Sequence, residues 1–272
     1  MPNPRSKLGF IGGGKLAGSV MRGLLTKKFC QPSDILVSEP NATMRETLGS
    51  ELGVEVTADN AELAGKTEQI FLGVKPQMVL PILRELGPAL ADKLVASFAA
   101  GIRIANMEEA TPGRVLRVMT NTPSAIGQAA TAFALGTRCT AEDREQIRTM
   151  FEIVGAVVEV RDDQIDAVTA LAGSGPAFVY TMIEALAAGG ERMGLPKEAA
   201  LTLAAQTTLG AAGLALTTGK SPDELRTMVV TPGGTTAAGL EKMESLGAGK
   251  AISAAVEAAA VRGAEMAREF GA

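Results

Sequence analysis

The stretch Ile11-Gly12-Gly13-Gly14-Lys15-Leu16-Ala17 carries the strongest chemical signal in this 272-residue sequence. Gly12, Gly14 and Ala17 fill a G-x-G-x-x-A pattern after one short apolar run and at the mouth of a helix-like one. A first glycine permits a tight turn, a second lets backbone approach a pyrophosphate, and a small third residue lets the helix pack close to the sheet. The helix N-terminus then offers N–H groups and positive partial charge to the phosphates. The pattern alone is weak, and its strand-turn-helix context is what makes it a dinucleotide site.

The end of the next apolar run, Val37-Ser38-Glu39-Pro40-Asn41, bears on which dinucleotide. A carboxylate at this point accepts hydrogen bonds from ribose hydroxyls and repels a 2′-phosphate, which favours NADH. Ser38, Asn41 and Arg45, one helical turn on, are groups that could hold a phosphate instead. The balance leans to NADH and leaves NADPH open.

A second anion site is read in Thr231-Pro232-Gly233-Gly234-Thr235-Thr236, a Gly-rich turn that opens a helix. Several N–H groups can converge there on an anion, and the hydroxyls add side-chain donors. The bland alternative is a helix N-cap made by a threonine. What is missing narrows the chemistry further. With no His, mechanisms built on Ser-His, Cys-His or His-metal sites are excluded. Cys30 and Cys139 stand far apart with no CxxC spacing, so neither a disulfide framework nor a Cys-rich zinc site is expected, and no metal set is read. A net charge of -4 and 3% aromatic residues argue against a nucleic-acid partner.

These residues need elements to position them. Strands are read at Lys7–Ile11, Asp34–Ser38, Gly53–Val56, Gln69–Val74, Leu94–Phe98, Val115–Met119 and Val157–Val160. Helices are read at Leu16–Leu25, Asn60–Leu63, from Pro76, at Ile104–Ala110 and at Thr140–Phe151. Alternating apolar strands and helices mean a mostly parallel sheet covered on both faces. After Arg161-Asp162-Asp163 only helices follow: Pro176–Met193, Pro196–Leu216, Ser221–Met228, Thr235–Leu246 and Ala248–Phe270. A domain boundary is therefore placed at 162, giving 1–162 and 163–272. Pro176 fits a first helical turn and Ser174 its cap.

The start, MPNPRSK, has no long apolar run and is read as carrying no leader. Ala199–Gly219 has no charge over a length that could span a bilayer. Its apolar content is mostly Ala, diluted by Thr, Gln206 and Gly. It is read as a helix buried within the protein or at a subunit interface, with no membrane partner.

Taken together the motifs resemble the pyrroline-5-carboxylate reductase family over nearly the whole chain. They are the Gly12–Ala17 turn, Val74-Lys75-Pro76-Gln77, Ser97-Phe98-Ala99-Ala100-Gly101, Met119-Thr120-Asn121-Thr122-Pro123, Leu171-Ala172-Gly173-Ser174-Gly175-Pro176-Ala177-Phe178, and Val229 through Leu240. Thr120, Val230 and Glu39 depart from the family's usual residues, and the last bears on cofactor preference. The resemblance implies a Rossmann-like dinucleotide-binding domain followed by an all-α dimerisation domain. It implies reduction of the C=N bond of 1-pyrroline-5-carboxylate to L-proline by NADPH or NADH, in a cytoplasmic enzyme built from an interlocked dimer or a multiple of it. Cofactor contacts are expected from Ile11, Gly12, Gly13, Gly14, Lys15, Leu16, Ala17, Ser38, Glu39, Asn60, Gly73, Val74, Lys75, Pro76 and Ala100. Substrate contacts are expected from Thr231, Gly233, Gly234, Thr235 and Thr236, with Thr236 and Lys75 in catalytic roles. The rival readings are a β-hydroxyacid dehydrogenase or another imine reductase, and a non-catalytic dinucleotide sensor. The first rival needs a helical Asn-x-x-Lys pair, and no Asn follows Asn121.

Overall fold

A computed structural model describes residues 7–270, so the start read as leaderless lies outside the described residues. The first half of the chain runs β1 (Leu8–Ile11), α1 (Lys15–Thr26), β2 (Ile35–Ser38), α2 (Ala42–Leu52), β3 (Glu55–Thr57), α3 (Asn60–Lys66), β4 (Gln69–Leu72), α4 (Pro76–Leu86), β5 (Leu94–Ser97), α5 (Ile104–Ala110), β6 (Arg114–Met119), β7 (Ala129–Leu135), α6 (Ala141–Glu152) and β8 (Gly155–Glu159). Among the described residues these strands form one sheet of order β3-β2-β1-β4-β5-β6-β7-β8. Its first six positions have the order of a dinucleotide-binding fold. All pairs are parallel except β6 with β7.

β1, β2, β4 and β5 are buried along their whole length, which requires helices on both faces of the sheet. One core holds Phe10, Val20, Leu24, Phe71, Phe98 and Phe151. Its rings stack, with centroids 5.0 Å apart for Phe10–Phe71 and 5.7 Å for Phe71–Phe98. The other core holds Ile11, Leu36, Ile70, Leu72, Val79, Leu83 and Val95.

Two elements of this first half escape the sequence reading. β7 is Ala129-Ala130-Thr131-Ala132-Phe133-Ala134-Leu135, almost without β-branched residues, and it is a strand because its neighbours pair with it. α2 buries only Leu48 and Leu52, so it shows little amphipathic pattern. Its ends carry the information instead. Asn41 Oδ1 accepts from Met44 N at 3.0 Å, and Gly53 closes the helix with φ +70°.

The division expected at residue 162 falls inside the first of two compact units. That unit takes in the chain up to Ser174 and again from Glu257 onward, while Gly175–Val256 is the other. The polar run read as a boundary is an anchored ion cluster. Arg117, 1% exposed, donates to Asp162 Oδ1 at 2.7 Å, and Arg103 donates to Asp166 Oδ2 at 2.6 Å. The Ile104 N–H, opening α5, donates to Asp162 Oδ2 at 3.2 Å. Ile165 is fully buried in the second core. Two backbone approaches hold the end of the chain to the same unit. A Cβ on Gly263 would stand 3.5 Å from that of Asp166, and one on Gly101 (φ +75°) would stand 2.9 Å from the Met266 carbonyl carbon.

α7 (Ile165–Val168) runs through a π-helical turn, Thr169–Gly173, directly into α8 (Gly175–Arg192). Ser174 is therefore not an N-cap, and Pro176 does not open a free-standing helix. Pro176 has no N–H for the carbonyl of Ala172, four residues back, and its ring crowds that carbonyl. The wider turn relieves the crowding, with Ser174 N donating to Thr169 O at 2.9 Å. Asn121 supplies the missing donor: its Nδ2 reaches Ala172 O at 3.1 Å, while its Oδ1 accepts from Ala130 N at 3.1 Å.

The second unit contains α8, α9 (Lys197–Thr217), α10 (Pro222–Val229), α11 (Thr235–Ser245) and the beginning of α12 (Ala248–Phe270). Ala200 and Ala204 of α9 pack on Ile183 and Ala187 of α8. The rest of α9 is not buried within the chain: Leu203, Leu209, Leu214 and Leu216 are each more than half exposed. By length and composition α9 is apolar enough to cross a membrane. Of the two kinds of burial expected for it, burial inside the chain is not what the structure has.

Candidate active site

Strand register brings the residues expected to touch the cofactor to one edge of the sheet. Ile11 lies level with Ser38 on one side and Leu72 on the other, Leu72 with Ser97, and Ser38 with Thr57. The segments that follow these residues, containing Gly12–Ala17, Glu39, Asn60, Gly73–Pro76 and Ala100, all leave the carboxyl ends of parallel strands. Ligands bind at that edge in open α/β sheets, and the strand order reverses beside β1.

The glycines there differ in what they do. Gly12 has φ +92°, and a Cβ on it would meet Gly73 O at 2.8 Å. One on Gly73 would meet the Ala17 methyl at 2.8 Å, so position 73 has no room for a side chain. One on Gly13 would meet Leu48 Cδ1 at 2.3 Å. Gly14 is different, since nothing lies nearer than 3.8 Å to its would-be Cβ. Packing does not demand a glycine there, whereas an approaching phosphate would. Gly14 is also the N-cap of α1, with no side-chain cap and no acid in the first turn. The helix N-terminus thus keeps its positive partial charge, and the residues fit a dinucleotide pyrophosphate.

Glu39 lies against this turn. Its Oε2 accepts from Gly13 N at 3.0 Å and its Oε1 from Asn41 N at 3.1 Å. Arg45 Nη1 donates to the carbonyls of Glu39 at 2.6 Å and Pro40 at 2.8 Å. Ser38, 1% exposed, donates to Asn60 Oδ1 at 2.7 Å. Asn60 is not a helix cap: Asp59 caps α3, accepting from Ala61 N and Glu62 N. Asn60 instead ties α3 to the end of β2. Lys75 is exposed at the N-cap of α4, with Pro76 at the first helical position. Ala100 is half-buried, two residues beyond the Phe98 ring of the core, and Ser97 Oγ accepts from Ala99 N at 3.2 Å.

The other expected anion site belongs to the helical unit. Gly233 has φ +69°, and Gly234 N donates to Thr231 O at 2.9 Å, closing a tight turn. Gly234, not a threonine, is the N-cap of α11, and it has no side-chain cap. Thr231 Oγ1 lies 2.3 Å from where a Gly234 Cβ would stand. The first bond of the helix runs from Ala238 N to Gly234 O at 3.2 Å. The N–H groups of Thr235, Thr236 and Ala237 therefore have no acceptor within the helix. Thr236 is half-buried and Thr231, Gly233 and Thr235 are exposed.

A hollow of about 650 Å³ lies at the opposite edge of the sheet, where Gln69, Leu94 and Arg114 begin β4, β5 and β6. It is the wrong edge for a nucleotide, and its Arg114 is spent on Asp143 through bonds of 2.8 and 3.0 Å. The two thiols carry no chemistry either. Burial pushes Cys30 and Cys139 up to about 11, so neither is a thiolate near neutral pH.

A Gly-rich turn at the switch point of such a sheet defines a dinucleotide-binding domain of the oxidoreductase type. Comparison with known proteins gives the particular family. The profile described as "NADP oxidoreductase coenzyme F420-dependent" matches residues 7–101, and that described as "Pyrroline-5-carboxylate reductase dimerisation" matches residues 162–266. The chain is 42% identical to the pyrroline-5-carboxylate reductase of Pisum sativum, with 95% of each covered. Among solved structures it is similar to the enzyme of that name from Coxiella burnetii (TM-score 0.87, 33% identity, 96% of this chain and 98% of that one). It is also similar to Plasmodium falciparum pyrroline carboxylate reductase with NADP bound (TM-score 0.89, 27% identity, 97% and 99%). The chain belongs to the pyrroline-5-carboxylate reductase family.

Proposed function

We propose that this protein reduces the C=N bond of 1-pyrroline-5-carboxylate to L-proline with NAD(P)H. The observation that carries the reading is the pair of uncapped, Gly-bounded helix N-termini, at Gly14 of α1 and Gly234 of α11. One suits a pyrophosphate and the other a carboxylate. A non-catalytic dinucleotide sensor has use for the first only.

When bound, the reduced nicotinamide supplies a hydride. The chain's part is to bind and orient. Gly12, Gly13, Gly14, Lys15, Leu16 and Ala17 hold the pyrophosphate, with Ile11 ending the strand beneath them. Ser38, Glu39 and Asn60 form the adenosine side, and Gly73, Val74, Lys75, Pro76 and Ala100 the nicotinamide side. Gly233, Gly234 and Thr235 take the substrate carboxylate on backbone N–H groups, with Thr231 shaping the turn. The Thr236 hydroxyl accepts from the protonated ring nitrogen. Lys75 balances charge on cofactor or substrate. The imine enters protonated, so addition of a hydride to its carbon completes the amine and asks no side chain for a proton.

The functional enzyme is a homodimer or a multiple of it, joined through the apolar faces that the helical unit leaves open. It works in the cytoplasm on a soluble substrate. Steady-state reduction by wild type and Thr236→Ala tests the reading. Wild type turns over, and the variant loses a hydrogen bond to a charged group, roughly 1.5–3 kcal/mol, or about 10- to 100-fold in kcat/KM. Dinucleotide Kd stays nearly unchanged. No turnover by wild type with either dinucleotide removes the reading, and a loss confined to dinucleotide affinity assigns Thr236 to dinucleotide binding instead.

A further inference from the structure

We infer that Glu39 makes this enzyme select NADH over NADPH. The inference rests on the reductase reading above and deepens it, because that reading serves either dinucleotide. Two of the donors that could have held a 2′-phosphate, the Ser38 hydroxyl and Arg45 Nη1, are engaged elsewhere. The Ser38 hydroxyl is buried and donates to Asn60. Arg45 Nη1 is bound to two backbone carbonyls, those of Glu39 and Pro40, which draws this guanidinium nitrogen onto the turn rather than out to a ligand.

The carboxylate itself is fixed. Gly13 N holds one oxygen and Asn41 N the other, so Glu39 stays on the Gly-rich turn instead of swinging into solvent. Each carboxylate oxygen offers about two acceptor positions. One on each is used, leaving acceptors for the two hydroxyls of an unphosphorylated ribose. A phosphate on the 2′-hydroxyl would bring two negative charges against a third. Because Gly13 belongs to the pyrophosphate turn, a Glu39 hydrogen-bonded to it cannot move far without disturbing that turn. Fold likeness to an NADP-bound relative does not decide the matter, since the choice rests on a few side chains after β2.

The experiment is calorimetric titration of the full chain with NADH and with NADPH, on wild type, Glu39→Ser and Glu39→Gln, beside the kcat/KM ratio for the two dinucleotides. Wild type is expected to bind NADH about tenfold more tightly or better, and both variants to narrow that ratio by about tenfold. Glu39→Gln keeps the side-chain size and removes the charge, giving up one of the two backbone hydrogen bonds, so it serves as a second variant where the serine one folds poorly. Equal or tighter binding of NADPH by wild type overturns the inference, as does a ratio that neither variant moves. Absence of imine reduction with both dinucleotides would remove the reductase reading while leaving the binding ratio to judge Glu39.

Discussion

In the function proposed above, Thr236 and Lys75 place and balance charge, and neither passes a proton. With no histidine in the chain, no side chain has an ordinary pKa between about 5 and 8, and both thiols are pushed up to about 11 by burial. A neutral-range limb in the pH profile then belongs to the substrate. The value of kcat/KM should fall as pH rises through the free imine's own pKa. Comparing wild type with Lys75→Met across pH checks this: the plateau drops and the midpoint stays put. A midpoint that moves, or a limb that vanishes, assigns the proton to the enzyme. At this scale the sequence exposes residues whose duty is local. Gly12 and Gly14 are legible because a turn and an open approach need them. Asn121 is not, because the carbonyl it serves is 51 residues away and lost its donor to Pro176.

Elements were legible where periodicity and a cap agree, as at α10 with its Ser221 capping box, and hidden where tertiary pairing decides. β7 takes its conformation from β6 and β8, and the tie between Arg117 and Asp162, 45 residues apart, follows no linear pattern. α6 depends on a similar long-range tie. Asp143 closes a capping box with Thr140 and accepts twice from Arg114, at the start of β6. Burial would raise its pKa, but the Arg114 and Thr140 bonds outweigh that and hold it below the usual carboxylate range. A carboxyl depressed in the folded state stabilises above its unfolded pKa, about 3.9. That stabilisation is lost as pH falls through the lower folded value. Asp143→Asn should therefore cost roughly 1–3 kcal/mol in urea unfolding at pH 7. The gap from wild type should shrink as the medium is acidified below the usual carboxylate range. A gap that is the same at both ends of that titration would mean the pair contributes no charge-dependent stability.

At the scale of the whole molecule, the helical unit is unfinished on its own. Leu203, Leu209, Leu214 and Leu216 lie open along α9, and Met228, Val229 and Leu246 add to the exposed apolar surface. A unit this small has too little interior to cover them, and the self-association proposed above would do so. The sequence shows the uncharged helix but not whether it is covered from within. Ala204 is 7% exposed in the chain, whereas Ala211 is exposed. The two positions therefore separate folding from assembly. Ala211→Lys should leave the fold intact by circular dichroism and split the oligomer in light scattering, because an unpaired ammonium buried at an interface costs several kcal/mol. An intact oligomer would place α9 outside the interface.

The central claim is that the enzyme directs a hydride onto the carbon of a cyclic imine. Its most direct measurement is product analysis after reaction of the full-length protein with pyrroline-5-carboxylate and NADH deuterated at both transferable positions of the nicotinamide. The account expects L-proline, formed mole for mole with NADH consumed, carrying one deuterium on the ring carbon that was double-bonded to nitrogen. Proline without the label, or NADH oxidised with no proline formed, would contradict it.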